Sequence, residues 1–408
     1  MGEYTEELLQ ELLPLFYSRL FPCNSFYRWL SYGSSATFKL RELSFTLLGD
    51  IYIRYQSFES MENFSNELNK HKPIKIDIGA IYNHPPKYKT QIQKFGPVEK
   101  ELVFDIDMTD YDDVRTCCSG TDICSKCWKF MVLACKVLDA ALREDFGFKH
   151  MLWVFSGRRG VHCWVCDENV KKFTDEERKA VAEYLFVKKD GHKNILFGDK
   201  IHTSLRRALT IIKPYFNQMM FVEQNILGTD EGIKKFLKNI HEEIRIQSEE
   251  VLRSVEGSEA RWKVFCDYFR TLSQKQSIPK IYKNTIEELM LLYCYPRLDI
   301  NVSKGINHLL KAPFCVHPKT GKVCIPFNPK TVDKFDPATV PTLTLLVDEI
   351  NKYDQITKEE EMADGVNSSK IKDYKKTSLL KSITVFEDFL RNIERELKQK
   401  RKPTPMEF

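Results

Sequence analysis

The sequence predicts a mixed α/β (α+β) core that is interrupted by a helical insertion, and three observations carry this. Short stretches at 74–82, 101–108, 151–156 and 161–166 have the composition and alternation of strands buried on one or both faces. A helical repeat at about 128–145 (Met131, Leu133, Val137, Leu138, Leu142) separates two of them. After Asp167 helical patterns run alone to about Tyr293, and strand signals return at Arg297. Strands and helices on both sides of a purely helical stretch mark a core that the chain enters twice.

In chain order, residues 3–30 read as one or two helices ending near Trp29. Their acidic, amphipathic pattern from Glu6 to Leu20 differs from a secretory signal. Thr37-Phe38-Lys39-Leu40, Phe45-Thr46-Leu47 and Ile51-Tyr52-Ile53-Arg54-Tyr55 read as short strands, and 60–71 as a helix. Thr174-Asp175-Glu176-Glu177 is a capping box that opens a helix. Arg297–Ser303 reads as a returning strand. Phe314–His317 and Val323–Phe327 read as a pair around a turn at Lys319-Thr320-Gly321. The expected division is 1–180 for the first part of the core, with a cysteine motif at 117–127. It continues with 181–293 for the helical insertion, 294–350 for the rest of the core, and 351–377 for a polar, flexible linker. Residues 378–408 form a C-terminal helix and tail, with an apolar stripe at 379, 383, 386, 390, 393 and 397 that needs a docking surface.

Lys and Arg number 62 against 57 Asp and Glu in 408 residues, a net charge of +5. That excludes a histone-like binder, so phosphate contacts must come from local patches. Twelve cysteines with no secretory pattern suggest reduced thiols in the cytosol or nucleus. No apolar stretch reaches the length of a membrane span. Met1-Gly2 is followed by Glu6, not the Ser or Thr of an acylation signal. Lys398-Gln399-Lys400-Arg401-Lys402 reads either as a nuclear address or as a solvated helix end.

Four groups of residues carry chemistry. In Leu102-Val103-Phe104-Asp105-Ile106-Asp107-Met108 the two carboxylates share one strand face. They repel each other unless cations or arginines intervene, and such pairs hold two Mg²⁺ ions in phosphoryl-transfer enzymes. The plain alternative is an acidic strand edge satisfied by Arg. Cys117, Cys118, Cys124 and Cys127 lie within eleven residues and can close around a structural Zn²⁺ with no open position. Cys163 and Cys166 also spell C-x-x-C, but on a strand they face opposite ways and read as core thiols.

Phe155-Ser156-Gly157-Arg158-Arg159-Gly160-Val161-His162 places a hydroxyl, two guanidiniums and an imidazole on a Gly-flanked turn. This is a donor-rich cradle for a triphosphate, or else a solvated turn with two arginines. Asp299, on the returning strand, is a candidate third carboxylate. Lys304, His308, Lys311 and His317 beyond it are candidate phosphate donors.

In order, these pieces resemble the small catalytic subunit of the archaeo-eukaryotic type of DNA primase. The carrying motifs are Phe104-Asp105-Ile106-Asp107, Ser156 to His162, Arg297-Leu298-Asp299, Ser303-Lys304-Gly305, and Lys311 with His317-Pro318-Lys319. The similarity runs from Leu20-Phe21-Pro22 to about residue 345, returns weakly at Asp373–Leu379, and looks eukaryotic. It implies the primase "prim" fold, and that Asp105, Asp107 and Asp299 hold two Mg²⁺ or Mn²⁺ ions. It also implies that Ser156, Arg158, Arg159, His162, Lys311 and His317 bind the triphosphate of a ribonucleoside triphosphate. Arg54, Lys75, Asp77, Glu42 and Tyr52 resemble further nucleotide contacts, with Asp77 accepting from the ribose 2′-hydroxyl.

The implied reaction is synthesis of a short RNA primer on a single-stranded DNA template, in the nucleus, for replication. The implied partners are the large primase subunit, which carries an iron–sulfur cluster, and the catalytic and accessory subunits of DNA polymerase alpha. No such cluster is expected in this chain. A repair-type primase-polymerase and a non-catalytic, zinc-stabilised nucleic-acid scaffold remain alternatives. A two-metal nuclease would have no use for the arginine cradle.

Overall fold

The structure, a computed structural model, describes residues 5–187, 200–275, 282–364 and 371–400. Met1-Gly2, Ser368-Ser369, and Arg401 and Lys402 of the basic cluster lie outside the described residues.

Two antiparallel sheets form the core. The first contains β1 (Arg41–Thr46), β2 (Tyr52–Gln56), β3 (Lys75–Tyr82) and β4 (Pro97–Glu99) in the order β2-β1-β3-β4. The second contains β5 (Leu102–Asp107), β6 (Met151–Phe155), β7 (Gly160–Val165) and β9 (Pro326–Phe327) in the order β5-β7-β6-β9. The late strand β8 (Leu310–Lys311) pairs with β3 in the first sheet, placing Lys311 opposite Asp77. The chain thus re-enters both sheets after the helical stretch. A mixed α/β architecture is what the alternation predicts.

In β1 and β2, Leu43 pairs with Gln56 and Phe45 with Ile53, so β2 carries one extra residue there, and Tyr55 takes φ +59°. A matching irregularity lies where Arg41 pairs with Ile81 and Leu43 with Ile78 on β3. Such bulges re-aim side chains. Glu42 lies between the two, and a Cβ on Gly79 would sit 2.9 Å from its Oε2. A side chain at position 79 would press on the buried Glu42, and glycine leaves that close approach free.

Three expectations change. Thr37–Lys39 belongs to a helix, Ser35–Lys39, with Leu40 as its C-cap, because burying Phe38 between Tyr27 (4.7 Å) and Phe64 (5.9 Å) outweighs its strand-like composition. Arg297–Ser303 is a loop leading into the short helix Ile300–Lys304, not a strand. Leu298 and Val302 are both buried four residues apart, a spacing that alternation cannot tell from a helical one. Residues 351–364, expected to begin a polar linker, continue the helix Leu343–Asp364. Arg19 binds Asp354 and Asp373 at 3.1 and 2.8 Å, tying both sides of the undescribed residues to the N-terminal segment.

Other elements fall where the sequence places them. Thr174 and Glu177 form the reciprocal capping box at 3.2 and 2.8 Å. Among the described residues, the chain between β7 and β8 contains no strand. Val316 bridges to Val323, so the late hairpin forms, although only Pro326–Phe327 of it is a regular strand. The helix Leu380–Lys400 buries Ile383, Phe386, Leu390 and Ile393, and Leu379 just before it is buried as well. Phe386 and Phe389 meet Trp29 edge-on at 5.8 and 6.4 Å, while Arg28 binds Glu387 and Glu394, each at 2.8 Å. This apolar stripe docks on the N-terminal helices.

Candidate active site

Between the sheets lies a cleft of about 700 Å³. One wall carries Tyr52, Arg54, Lys75 and Asp77 from the first sheet. The other carries Asp105, Asp107, Ser156, Arg158, Arg159, Gly160 and His162 from the second. The late segment Asn307 to Lys311, with His317, Pro318 and Lys319, also lines it. The alternation of β5 turns Asp105 and Asp107 to the cleft while Leu102, Phe104 and Ile106 are fully buried. Register places Asp105 opposite His162 and Asp107 opposite Gly160. The acids and the donor turn are therefore adjacent by strand pairing.

The turn depends on its glycines. Gly157 has φ +91°, and a Cβ there would stand 2.8 Å from the Cβ of His317. A Cβ on Gly160 would stand 2.5 Å from the Ile106 carbonyl oxygen. Each position admits only glycine without a shift of its neighbours. Ser156 Oγ accepts the Gly160 N–H at 2.9 Å, and Lys311 donates to the Ser156 carbonyl at 3.1 Å.

The carboxylates differ in state. Burial, then the charges of Asp107 and Asp299, push the Asp105 carboxyl up to about 6. Burial opposes ionisation of Asp107 too, but Arg159 (2.7 and 2.9 Å) and Thr109 outweigh it and hold its carboxyl below the usual value. Burial, then Lys311, lowers His162 to about 3. Burial, then Lys311, Arg158 and Arg159, lowers His317 to about 3. Both imidazoles are neutral at neutral pH. His162 Nε2 lies 3.5 Å from Asp105, and its buried Nδ1 has no partner.

Asp299 is exposed and does not line the cleft, yet its charge reaches Asp105 and its backbone N–H donates to the Asp105 carbonyl at 3.1 Å. Its carboxylate accepts the Asn301 N–H at 3.0 Å, capping the short helix. The three aspartates are neighbours, with Asp107 turned to Arg159. After burial, the charges of its two acidic neighbours are what keep Asp105 raised.

Glu42 sits beneath the wall rather than in it. It is fully buried, accepting from Arg54 Nε and Tyr82 Oη, each at 3.0 Å. Its contact with the cleft is through Arg54. Lys75 pairs with Asp77 at 3.0 Å. Sequence reasoning missed Asn307, Leu309 and Leu310. Asn307 and Leu309 flank His308, and that adjacency was the only available signal.

The Sγ atoms of Cys117, Cys118, Cys124 and Cys127 lie within 4.8 Å of one another, the spacing of a metal-binding group. Donors point at the sulfurs: Cys124 N–H to Cys127 at 3.1 Å and Gln224 Nε2 to Cys117 at 3.3 Å. N–H groups aimed at sulfur suit thiolates, so the donor set fits a tetrahedral ion.

Comparison with known proteins shows the family. The family model described as DNA primase small subunit matches residues 104–329. The DNA primase small subunit of Drosophila melanogaster is 49% identical over 411 residues, covering 97% of this chain and 94% of its own. That of Schizosaccharomyces pombe is 40% identical over 357 residues, covering 85% and 79%. The archaeal DNA primase small subunit PriS of Pyrobaculum calidifontis is 29% identical over 146 residues, covering 36% and 46%. The chain belongs to the DNA primase small subunit family.

Proposed function

We propose that this cleft joins ribonucleoside triphosphates on a single-stranded DNA template, with Asp105, Asp107 and Asp299 holding two Mg²⁺ or Mn²⁺ ions. As a small primase subunit the chain is catalytic, a nucleotidyltransferase that makes RNA primers for DNA replication, and it uses divalent metal. The observation that carries the assignment of residues is the strand pairing of Asp105 and Asp107 against the Ser156–His162 turn, in one cleft with Lys311 and His317.

Bound at the aspartates, the ions would lower the pKa of the attacking 3′-hydroxyl and neutralise charge on the phosphates and the departing pyrophosphate. The chain's own residues supply the rest. Arg158, Arg159 and Lys311 offer fixed positive charge to the triphosphate, and the Ser156 hydroxyl and the neutral imidazoles add hydrogen-bond donors. Arg159 pairs with Asp107, and it would be available to phosphate were cations to hold that carboxylate instead. Asp77 is set to accept from a ribose 2′-hydroxyl, and the buried Glu42 aims Arg54.

The cysteine group would hold a structural Zn²⁺ at the start of the helix Ser125–Glu144. A small subunit implies a large primase subunit as partner. Assembly with DNA polymerase alpha and residence in the nucleus are part of the proposal. The division into a twice-entered core and a helical insertion at 181–293 is likewise proposed. The test is Asp105→Ala with Asp107→Ala, following primer synthesis and thermal unfolding separately. A folded protein without synthesis supports the reading, and full activity excludes it.

A further inference from the structure

Of the three aspartates proposed as ligands, Asp299 is the one not carried on a strand. Its backbone (φ −75°, ψ 90°) leads into a helix of only five residues, Ile300–Lys304. A segment this short has no ladder of hydrogen bonds to place it, and its N-cap bond to Asn301 orients the carboxylate without fixing where the segment lies. Its position comes from attachments to the first part of the core. Ser303 Oγ donates to the Val103 carbonyl at 2.6 Å, and the Asp299 N–H donates to that of Asp105 at 3.1 Å. A further attachment is Arg297.

Arg297 meets the turn that follows Asp107. Its backbone N–H donates to Tyr111 Oη at 3.0 Å, and its guanidinium carbon lies 4.9 Å from the centre of the Tyr111 ring. Nη1 donates to the Asp110 carbonyl and pairs with the Asp113 carboxylate, while Nη2 reaches the Leu292 carbonyl at 3.2 Å. Tyr111 is itself immobilised, fully buried against Phe130 at 4.9 Å. The turn Met108–Tyr111 is capped by Asp107, which accepts the Thr109 N–H at 2.8 Å. Asp107 and Asp299 thus each cap a short helical turn, and Arg297 fastens one turn to the chain entering the other.

We infer that Arg297 is the positioning residue for Asp299, setting its distance from Asp107 and so the cation affinity of the cleft. The inference rests on the reading of the three aspartates as ligands. The guanidinium fork is needed because the clamp uses acceptors in different directions together with an aromatic face. A lysine ammonium has the charge but not the planar geometry. Through the Leu292 carbonyl, in the last turn of the helix Thr285–Cys294, the same side chain ties the end of the helical stretch to the acids.

The test is a titration of the full chain with Mn²⁺ alone, read by electron paramagnetic resonance, with thermal unfolding followed in parallel. The proteins are wild type, Asp299→Asn, Arg297→Met, the double variant and Arg297→Lys. Asp299→Asn is expected to weaken Mn²⁺ binding, and Arg297→Met to weaken it by roughly 10–100-fold, the usual cost of losing a ligand's support. The double variant should be no weaker than the weaker single one, because both changes disable one ligand. Arg297→Lys should fall between wild type and Arg297→Met.

Wild-type binding in a folded Arg297→Met, or losses that multiply in the double variant, overturns the inference alone. Unchanged binding in Asp299→Asn removes the ligand reading, and the inference with it. Should Arg297→Met fail to fold, Arg297→Lys decides: wild-type Mn²⁺ binding overturns the inference, and weakened binding at unchanged unfolding temperature supports it.

Discussion

Asp299 hands its backbone N–H to the carbonyl of Asp105 across 3.1 Å, so two acids nearly two hundred residues apart in sequence are held side by side. The cost of that proximity appears on Asp105, whose carboxyl is pushed up to about 6 by burial and by its two acidic neighbours. Protons and cations therefore compete for it.

Divalent-ion affinity should be full above that value and decline as the pH falls through about 6. The sign follows from the direction of the shift. A carboxyl raised from its ordinary value holds its proton to higher pH, and bound cations must displace it. Mn²⁺ titrations across a pH series check this. Affinity independent of pH between 5 and 8, roughly the range over which such a group changes state, would exclude Asp105 as a ligand with this environment.

Arg159→Gln should move two quantities in opposite directions. Primer synthesis should drop about 10²–10³-fold, since a fixed donor to the phosphates is lost. Mn²⁺ binding without nucleotide should tighten, because Asp107 no longer pairs with a guanidinium at 2.7 Å. Paired kinetic and binding measurements decide, and weaker Mn²⁺ binding would show that Arg159 does not compete for Asp107.

Arg41 and Glu101 form a bidentate pair at 2.7 and 2.8 Å, both side chains fully buried, with Tyr32 donating to Glu101 at 2.6 Å. Burial opposes the charge on Glu101, but Arg41 overcomes it and lowers the carboxyl to about 2. A lowered folded value stabilises above the unfolded one and is lost as pH falls, here from about 4.5 through about 2. Glu101→Gln leaves Arg41 buried without its counter-charge and should cost about 3–5 kcal/mol at neutral pH. Urea unfolding at pH 7 and pH 3 measures both. The variant should show less loss of stability on acidification than the wild type.

Metal analysis of the purified chain should return about one zinc per molecule, and chelation should lower the unfolding temperature. Cys127→Ser should abolish the zinc and reproduce the chelated protein. Iron in place of zinc, or an unfolding temperature unchanged by chelation, would assign the cysteines another role.

What was legible in the sequence is what periodicity and spacing encode locally. The alternation through Asp105 and Asp107 gave both their strand and their shared face. The glycines of Ser156–His162 marked a tight turn, and the clustered cysteines marked a group whose sulfurs converge. Tertiary effects were not legible. Phe38 is helical because it fits between Tyr27 and Phe64. The segment at Asp299 has a strand's alternation, but Leu298 and Val302 satisfy burial equally well in a loop and a helical turn. Glu42 and Arg54 share their bulged site only once β1, β2 and β3 are paired.

The most direct test is crystallographic: crystals soaked with Mn²⁺ and a ribonucleoside triphosphate, read by anomalous scattering. Two manganese peaks between Asp105, Asp107 and Asp299, with the triphosphate against Arg158, Arg159 and His317, is the expected result. Peaks that leave Asp299 out of coordinating distance, or a triphosphate seated away from the Ser156–His162 turn, would contradict it.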